Sequence, residues 1–263
     1  MSRFILNRRR FLAGSAAVGA GLTLSGCDQF DFLAQRGNPV RQALEQANVL
    51  TYQTQRLLIG DQTLAREYAA SEIRQGMKPN GSTEPTTPEY MFLRAQNFEP
   101  YRLTIKGMVE REVSFSLAEL RNMPEQSQIT RHDCVEGWSC IAKWTGTRLG
   151  AVLDQAGVKP EARFCVYHCF DNIQRTLSED IFYYESSDLV DAYHPQTILA
   201  YGLNDQGLPV SNGAPLRLRV ERQLGYKMSK YVHTIELVDS YANLGLGQGG
   251  YWEDQGYEWY AGI

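Results

Sequence analysis

The stretch from Arg131 to Trp144, R-H-D-C-V-E-G-W-S-C-I-A-K-W, constrains this chain more than any other. It gathers two of the five cysteines, one of the four histidines and two of the four tryptophans. Polarity alternates up to Cys134 and is then broken by Gly137, the pattern of a strand that ends in a loop. Such a strand delivers a thiol to the start of that loop. A thiolate on a rigid strand end suits a soft metal ligand or a nucleophile. The same cysteine, buried, would serve as a small hydrophobe. The window alone leaves both readings open.

The remaining pattern surrounds this strand with short elements of both kinds. Asn38-Pro39 reads as the start of a helix running towards Ile59. Asp61 reads as the cap of a second, with Leu64, Ala65, Tyr68, Ala69 and Ile73 on one face. Met77 to Pro88 is turn-rich. Tyr101, Leu103 and Ile105 alternate with polar residues as a half-buried strand. Ser116 and Glu119 form a capping box. Thr147 is expected to cap a helix that buries Leu149, Val152, Leu153 and Ala156 and ends at Gly157. Arg163 to Phe170 is a strand with Cys165, Tyr167 and Cys169 on one face and His168 on the other. Ser187 opens a short helix through Ala192, and strands are expected over 197–201, 216–220 and 231–238. No repeat is present. Strands and short helices alternate irregularly, so the fold class is α+β with mixed sheets.

The first 26 residues are different in kind. They carry four arginines and no acid, leaving 22 basic and 30 acidic residues in the rest of the 263-residue chain. A net-acidic body argues against a nucleic-acid surface. Arg8-Arg9, followed after one residue by Phe11-Leu12, resembles a twin-arginine export signal. Leu24-Ser25-Gly26-Cys27 resembles a lipobox, and Asp28 resembles an inner-membrane retention signal. These resemblances imply a periplasmic protein, lipid-anchored at Cys27 to the inner membrane. The export route further implies a chain that folds, and takes up a cofactor, before it crosses. The expected organisation is a signal over 1–26, a helical arm over 27–86 and a cofactor-binding domain over 87–263.

Four motifs then fall in one order. Cys134 to Ser139 (C-V-E-G-W-S) is followed by W-T-G at Trp144. H-P-Q-T-I begins at His194, S-N-G-A-P-L-R runs from Ser211 to Arg217, and G-Y-K begins at Gly225. Together they resemble the sulfite oxidase family of molybdopterin-dependent oxidoreductases, in particular its periplasmic sulfoxide-reducing branch. The resemblance implies a molybdenum ion held by one pyranopterin dithiolene and by Cys134, a soft-donor set suited to that metal. It assigns Asn212, Arg217 and Lys230 to the pterin and its phosphate, which a guanidinium fork matches. Met228 stands where the reductase branch has glycine. Cys169 aligns near the metal, Phe92 and Arg94 with the segment approaching the site, Asn97 with a pterin ligand, and His194 with a pterin neighbour or a structural position. His132 reads either as a residue over the site or as a satisfied strand histidine, the second being preferred. A disulfide of Cys169 with Cys140 or Cys165 is compatible with an oxidising compartment.

The departures shape the expected reaction. Gly137-Trp138-Ser139 replaces the asparagine and arginines that help sulfite oxidases bind sulfite. Oxygen-atom transfer with reduction of a sulfoxide or N-oxide is therefore expected over sulfite oxidation. A chain ending at Ile263 leaves no room for a C-terminal dimerisation domain, and no haem-attachment motif is present. The expectation is a monomer served by a membrane cytochrome or quinol-linked electron partner. Two rivals stand beside it: a cysteine-rich zinc site drawn from His132, Cys134, Cys140, Cys165 and Cys169, and a non-catalytic cofactor-binding lipoprotein.

Overall fold

Ten strands make one mixed and one antiparallel sheet, and a computed structural model describes them within residues 38–175 and 180–263. The twin-arginine and lipobox segments, Cys27 included, lie outside the described residues. Contacts divide the chain into two compact units, 1–53 and 54–263. Helix α1 (Pro39–Ile59) begins in the first and ends in the second. Within the second unit Arg56, in its last turn, donates to Asp188 and Asp191 at 2.8 Å each. Residues 54–86 of the expected arm thus share one unit with the body.

The first sheet has the order β2-β1-β10-β5-β6, built from β1 (Arg102–Gly107), β2 (Val113–Ser116), β5 (Phe164–Arg175), β6 (Asp180–Asp188) and β10 (Val232–Val238). Only β1 and β10 run parallel, Thr104 facing Thr234. The second sheet holds β3 (Glu125–Cys134), β4 (Trp138–Arg148) and β7 (Ile198–Leu203) in series. Short strands β8 (Gln206–Gly207) and β9 (Arg217–Arg219) both pair with β7. Every residue of β7 is buried. Leu199 and Tyr201 belong to one hydrophobic core, and Ile198, Ala200 and Leu203 to the other. A strand covered on both faces reads as a continuous apolar run, as this one does.

Helices fill the gaps. Helix α2 (Pro88–Ala95) is capped by the Thr87 side chain, and α3 (Leu117–Arg121) opens with the expected Ser116–Glu119 capping box. Helix α4 (Leu149–Ala156) buries Leu149, Val152 and Leu153 completely and ends at Gly157 in the left-handed conformation. Each of those side chains contributes about 1.5–3 kcal/mol by leaving water. Its cap position is Arg148, because Thr147 still lies within β4 and donates instead to the Leu120 carbonyl at 2.7 Å. Helix α5 (Leu189–Ala192) is capped by Asp188 rather than Ser187, and α6 (Tyr251–Asp254) lies in the glycine-rich tail. Among the described residues no helix is long and apolar enough to cross a membrane.

The second helix expected after Asp61 does not form. The segment runs extended along the edge of β3, where Tyr68 N–H donates to the Ile129 carbonyl at 2.9 Å and Glu67 bridges Thr130. Only a short 3-10 turn, Ala70–Glu72, remains of it. An edge strand with open backbone groups outcompeted the helical period.

Candidate functional site

Strand β3 ends on Cys134, which pairs with Trp138 at the start of β4. The three residues between them turn the chain, with Gly137 at φ +83° and its N–H donating to the Cys134 carbonyl at 3.0 Å. That backbone region favours glycine; the thiol stands at a strand end as expected, and the loop proves to be a hairpin turn. Trp138 Nε1 donates to the Glu136 carboxylate at 2.8 Å, and Lys78 lies 5.2 Å over the same indole. Cys134 opens on a cavity of about 80 Å³ that it lines with Asn80, Ser82, Asp171, Met228 and Lys230. Burial raises its thiol pKa, while the Glu136 backbone N–H, Lys78 and Arg217 act the other way.

Strand β9 supplies cations. Arg217 and Arg219 are both fully buried and lie 5.2 Å and 4.2 Å from the Trp144 ring. Arg219 is closed by a two-pronged pair with Glu221, at 2.9 Å and 2.6 Å. Arg217 has no such carboxylate. It donates to the Asn212 carbonyl at 3.0 Å and to Asn80 Oδ1 at 3.1 Å, and its Nε has no partner. Lys230, also buried, donates to the carbonyls of Ser82 and Ser211. Gly213, at φ +116°, gives Asn212 its turn and leaves room for the Lys230 side chain against it.

The energetics of this cluster are unfavourable as it stands. Burial, then the neighbouring Arg219, lowers Arg217 to about 9. Burial, then Arg217, lowers Lys230 to about 7, with Asp171 opposing. Neither cation is ion-paired with a carboxylate, and taking them out of water costs several kcal/mol. An orphaned guanidinium N–H beside a depressed lysine fits a tightly held anion such as a phosphate. The residue set therefore suits a phosphate-bearing cofactor whose metal meets Cys134.

The structure puts Cys134 and Lys230 in the cavity lining and joins Arg217 to the Asn212 carbonyl, next to the Ser211 carbonyl that Lys230 meets, outside that lining. It does not bring the other sequence-predicted residues to the cavity. Phe92 is 60% exposed on α2. Arg94 is exposed and its charge is closed by Glu84, while Asn97 is exposed after the helix. His194 is buried, but it is spent holding the extended 61–69 segment: Nε2 meets the Thr63 carbonyl at 3.1 Å and Nδ1 accepts from Gln196 N–H. Cys169 is buried on β5, its thiol donating to the Tyr167 carbonyl at 3.8 Å, and it borders a separate cavity of about 1080 Å³. Asp171, two residues on, lines the Cys134 cavity instead. Burial raises its carboxyl, and Oδ1 has no partner.

Two sequence readings are corrected. Cys134, Cys140, Cys165 and Cys169 are all free thiols. Cys140 packs in one core and Cys169 in the other, while Cys165 and Cys169 lie four residues apart along β5, roughly 13 Å by the strand rise and beyond a disulfide's reach. Among the described residues no group of three or more His, Cys, Asp or Glu is arranged for a metal ion, so the zinc set does not assemble. Asn80, Ser82, Asp171 and Glu221 were missed. Asn80-Gly81 signals only a turn, and Glu221 reads as a solvated charge; nothing local ties either to residues so distant in sequence.

Residues 91–244 match the family described as oxidoreductase molybdopterin binding domain. A protein of Azospira oryzae, provisionally named a protein-methionine-sulfoxide reductase subunit, is 34% identical over 97% of this chain and 87% of its own length. The catalytic subunit of protein-methionine-sulfoxide reductase from Xanthomonas campestris is 34% identical over 60% of this chain, which spans 50% of that relative. The sulfane dehydrogenase of Paracoccus pantotrophus shares 22% identity at a TM-score of 0.47, over 54% of this chain and 39% of that one.

Proposed function

The chain belongs to the oxidoreductase molybdopterin-binding family, and we propose that it is the catalytic component of a sulfoxide reductase. In this reading Cys134 is the metal ligand, and Asn212, Arg217 and Lys230 hold the pterin and its phosphate. The observation that carries it is the pair of buried cations, Arg217 and Lys230, without a carboxylate partner near a hairpin-tip thiol. When bound, the molybdenum–pterin supplies two-electron oxygen-atom transfer. The rest is the work of this chain's residues. Arg217 and Lys230 neutralise the phosphate, and burial keeps water from competing with them. Cys134, with a raised thiol, gives up its proton on taking a metal.

Glu136, whose pKa is lowered by the Trp138 N–H, presents an exposed carboxylate beside Cys134 that Lys78 pairs at 3.5 Å. Gly137, Trp138 and Ser139 stand where sulfite oxidases carry the asparagine and arginines that help bind sulfite, which supports a sulfoxide or N-oxide as substrate. Reduction of either consumes protons, and Asp171, buried with an unpartnered oxygen in the lining it shares with Cys134, is the proton donor in this reading. The reading extends to a periplasmic monomer anchored through lipid at Cys27 and supplied by a membrane cytochrome or quinol-linked partner. The names of its relatives as reductase subunits support a separate electron donor.

The test is oxidation of reduced viologen by purified, molybdenum-loaded protein with a panel of sulfoxides and N-oxides. Turnover on at least one class, with no oxidation of sulfite, is expected. Inertness towards every acceptor overturns the assignment of the reaction.

A further inference from the structure

A buried relay fixes one proton behind the Cys134 cavity. Gln128 Nε2 donates to Glu221 Oε1 at 2.8 Å, and Glu221 takes Nε and Nη2 of Arg219. The remaining arm, Arg219 Nη1, lies 2.9 Å from His132 Nδ1. All four side chains are buried, His132 and Arg219 completely. A guanidinium has only donors. Nδ1 must therefore accept, the ring is neutral, and its proton sits on Nε2. That N–H has no acceptor in the chain. A buried donor left unmade is destabilising, so its presence calls for a partner.

The position of the ring indicates the partner. His132 packs beside Trp138, 5.6 Å between centroids, on the same strand as Cys134. Its Nε2 edge faces Gly225, where any side chain would run into the ring. Gly225 and Met228, which touches Nδ1 at 3.3 Å, both line the Cys134 cavity. Gly225, with no side chain, is the part of the cavity lining that stands against the orphaned N–H.

We infer that His132 Nε2–H is a hydrogen-bond donor to the bound cofactor, with its tautomer set by the Glu221–Arg219 pair. The inference rests on the cofactor reading above. It makes His132 a binding residue and Glu221 and Arg219 positioning residues.

Two substitutions separate donor from scaffold. His132→Asn keeps an acceptor at the δ position for Arg219 and removes the ε donor. His132→Gln restores an ε donor and removes the δ acceptor. The readout is molybdenum and pterin retained per chain during prolonged dialysis of the loaded protein. His132→Asn is expected to release the cofactor about tenfold faster than wild type, and His132→Gln to retain more than His132→Asn. Retention by His132→Asn equal to wild type, or loss from His132→Gln alone, overturns the inference. Nitrogen-15 histidine spectra of the wild type provide a second measurement that no folding defect can obscure. The Nε2–H signal should move between cofactor-free and loaded protein; an unmoved signal, or a proton on Nδ1, overturns it. A wild-type chain that carries no pterin in a competent host overturns the cofactor reading, and the inference with it.

Discussion

Arg217 Nη2 donates to Asn80 Oδ1 at 3.1 Å, joining β9 to a turn 137 residues earlier in the chain. A neutral amide thus meets the buried guanidinium where a carboxylate would close its charge. The first prediction follows from that choice. Asn80→Asp should stabilise the cofactor-free protein, by about 1–3 kcal/mol for a hydrogen bond that gains a charge. It should also lower molybdenum content, because the new carboxylate competes with the phosphate. Urea midpoints and metal analysis should move in opposite directions.

Lys230 makes the cofactor-free protein sensitive to pH. Its folded-state pKa is about 7, against the ordinary lysine value of 10.5. Below pH 7 both folded and unfolded chains hold the proton, and the burial penalty is complete. Above it the unfolded chain binds more protons, so stability rises with pH until the unfolded lysine also titrates. Wild type should therefore gain stability between pH 7 and 9 relative to Lys230→Met. Anion binding should weaken over the same interval. Urea titrations at three pH values would show a constant difference if Lys230 carried an ordinary pKa.

Lys227 is wholly buried and donates to Glu185 and Glu253 at 2.5 Å each. Burial, with Glu253 beside it, holds the Glu185 carboxyl well above the usual carboxylate range. Lys227→Met leaves two carboxylates in the core without a cation and should destabilise the fold by about 3–5 kcal/mol. Carboxyls raised in the folded state favour folding when protonated and lose that contribution as pH rises. The defect should therefore shrink in acid. A melting temperature unchanged at neutral pH would contradict this.

Much of the frame was legible along the chain, for physical reasons that are local. Alternation gave β1, with Leu103 and Ile105 fully buried, and the break at Gly137 placed Cys134 at a strand end. The Ser116–Glu119 box and Gly157 marked helix ends because their hydrogen bonds are short-range. Leu64, Ala65 and Tyr68 misled because a helical period carries no information about an open strand edge elsewhere. Nothing along the chain marks Arg217 and Arg219 as interior; the pairing of β9 with the buried strand β7 shows it. The contacts of Asn80 with Arg217, and of Glu221 through Arg219 with His132, join residues with no common pattern in sequence.

The central claim is that Cys134 and the unpaired cations behind it hold a molybdenum–pterin. The most direct measurement is elemental analysis of protein exported with its own signal, beside Cys134→Ala and Arg217→Met. We predict molybdenum near one per chain in wild type, loss of the thiolate-to-metal absorption in Cys134→Ala, and loss of both pterin and metal in Arg217→Met. Absence of molybdenum from wild type produced in a cofactor-competent host, or full pterin content in Arg217→Met, would contradict the account.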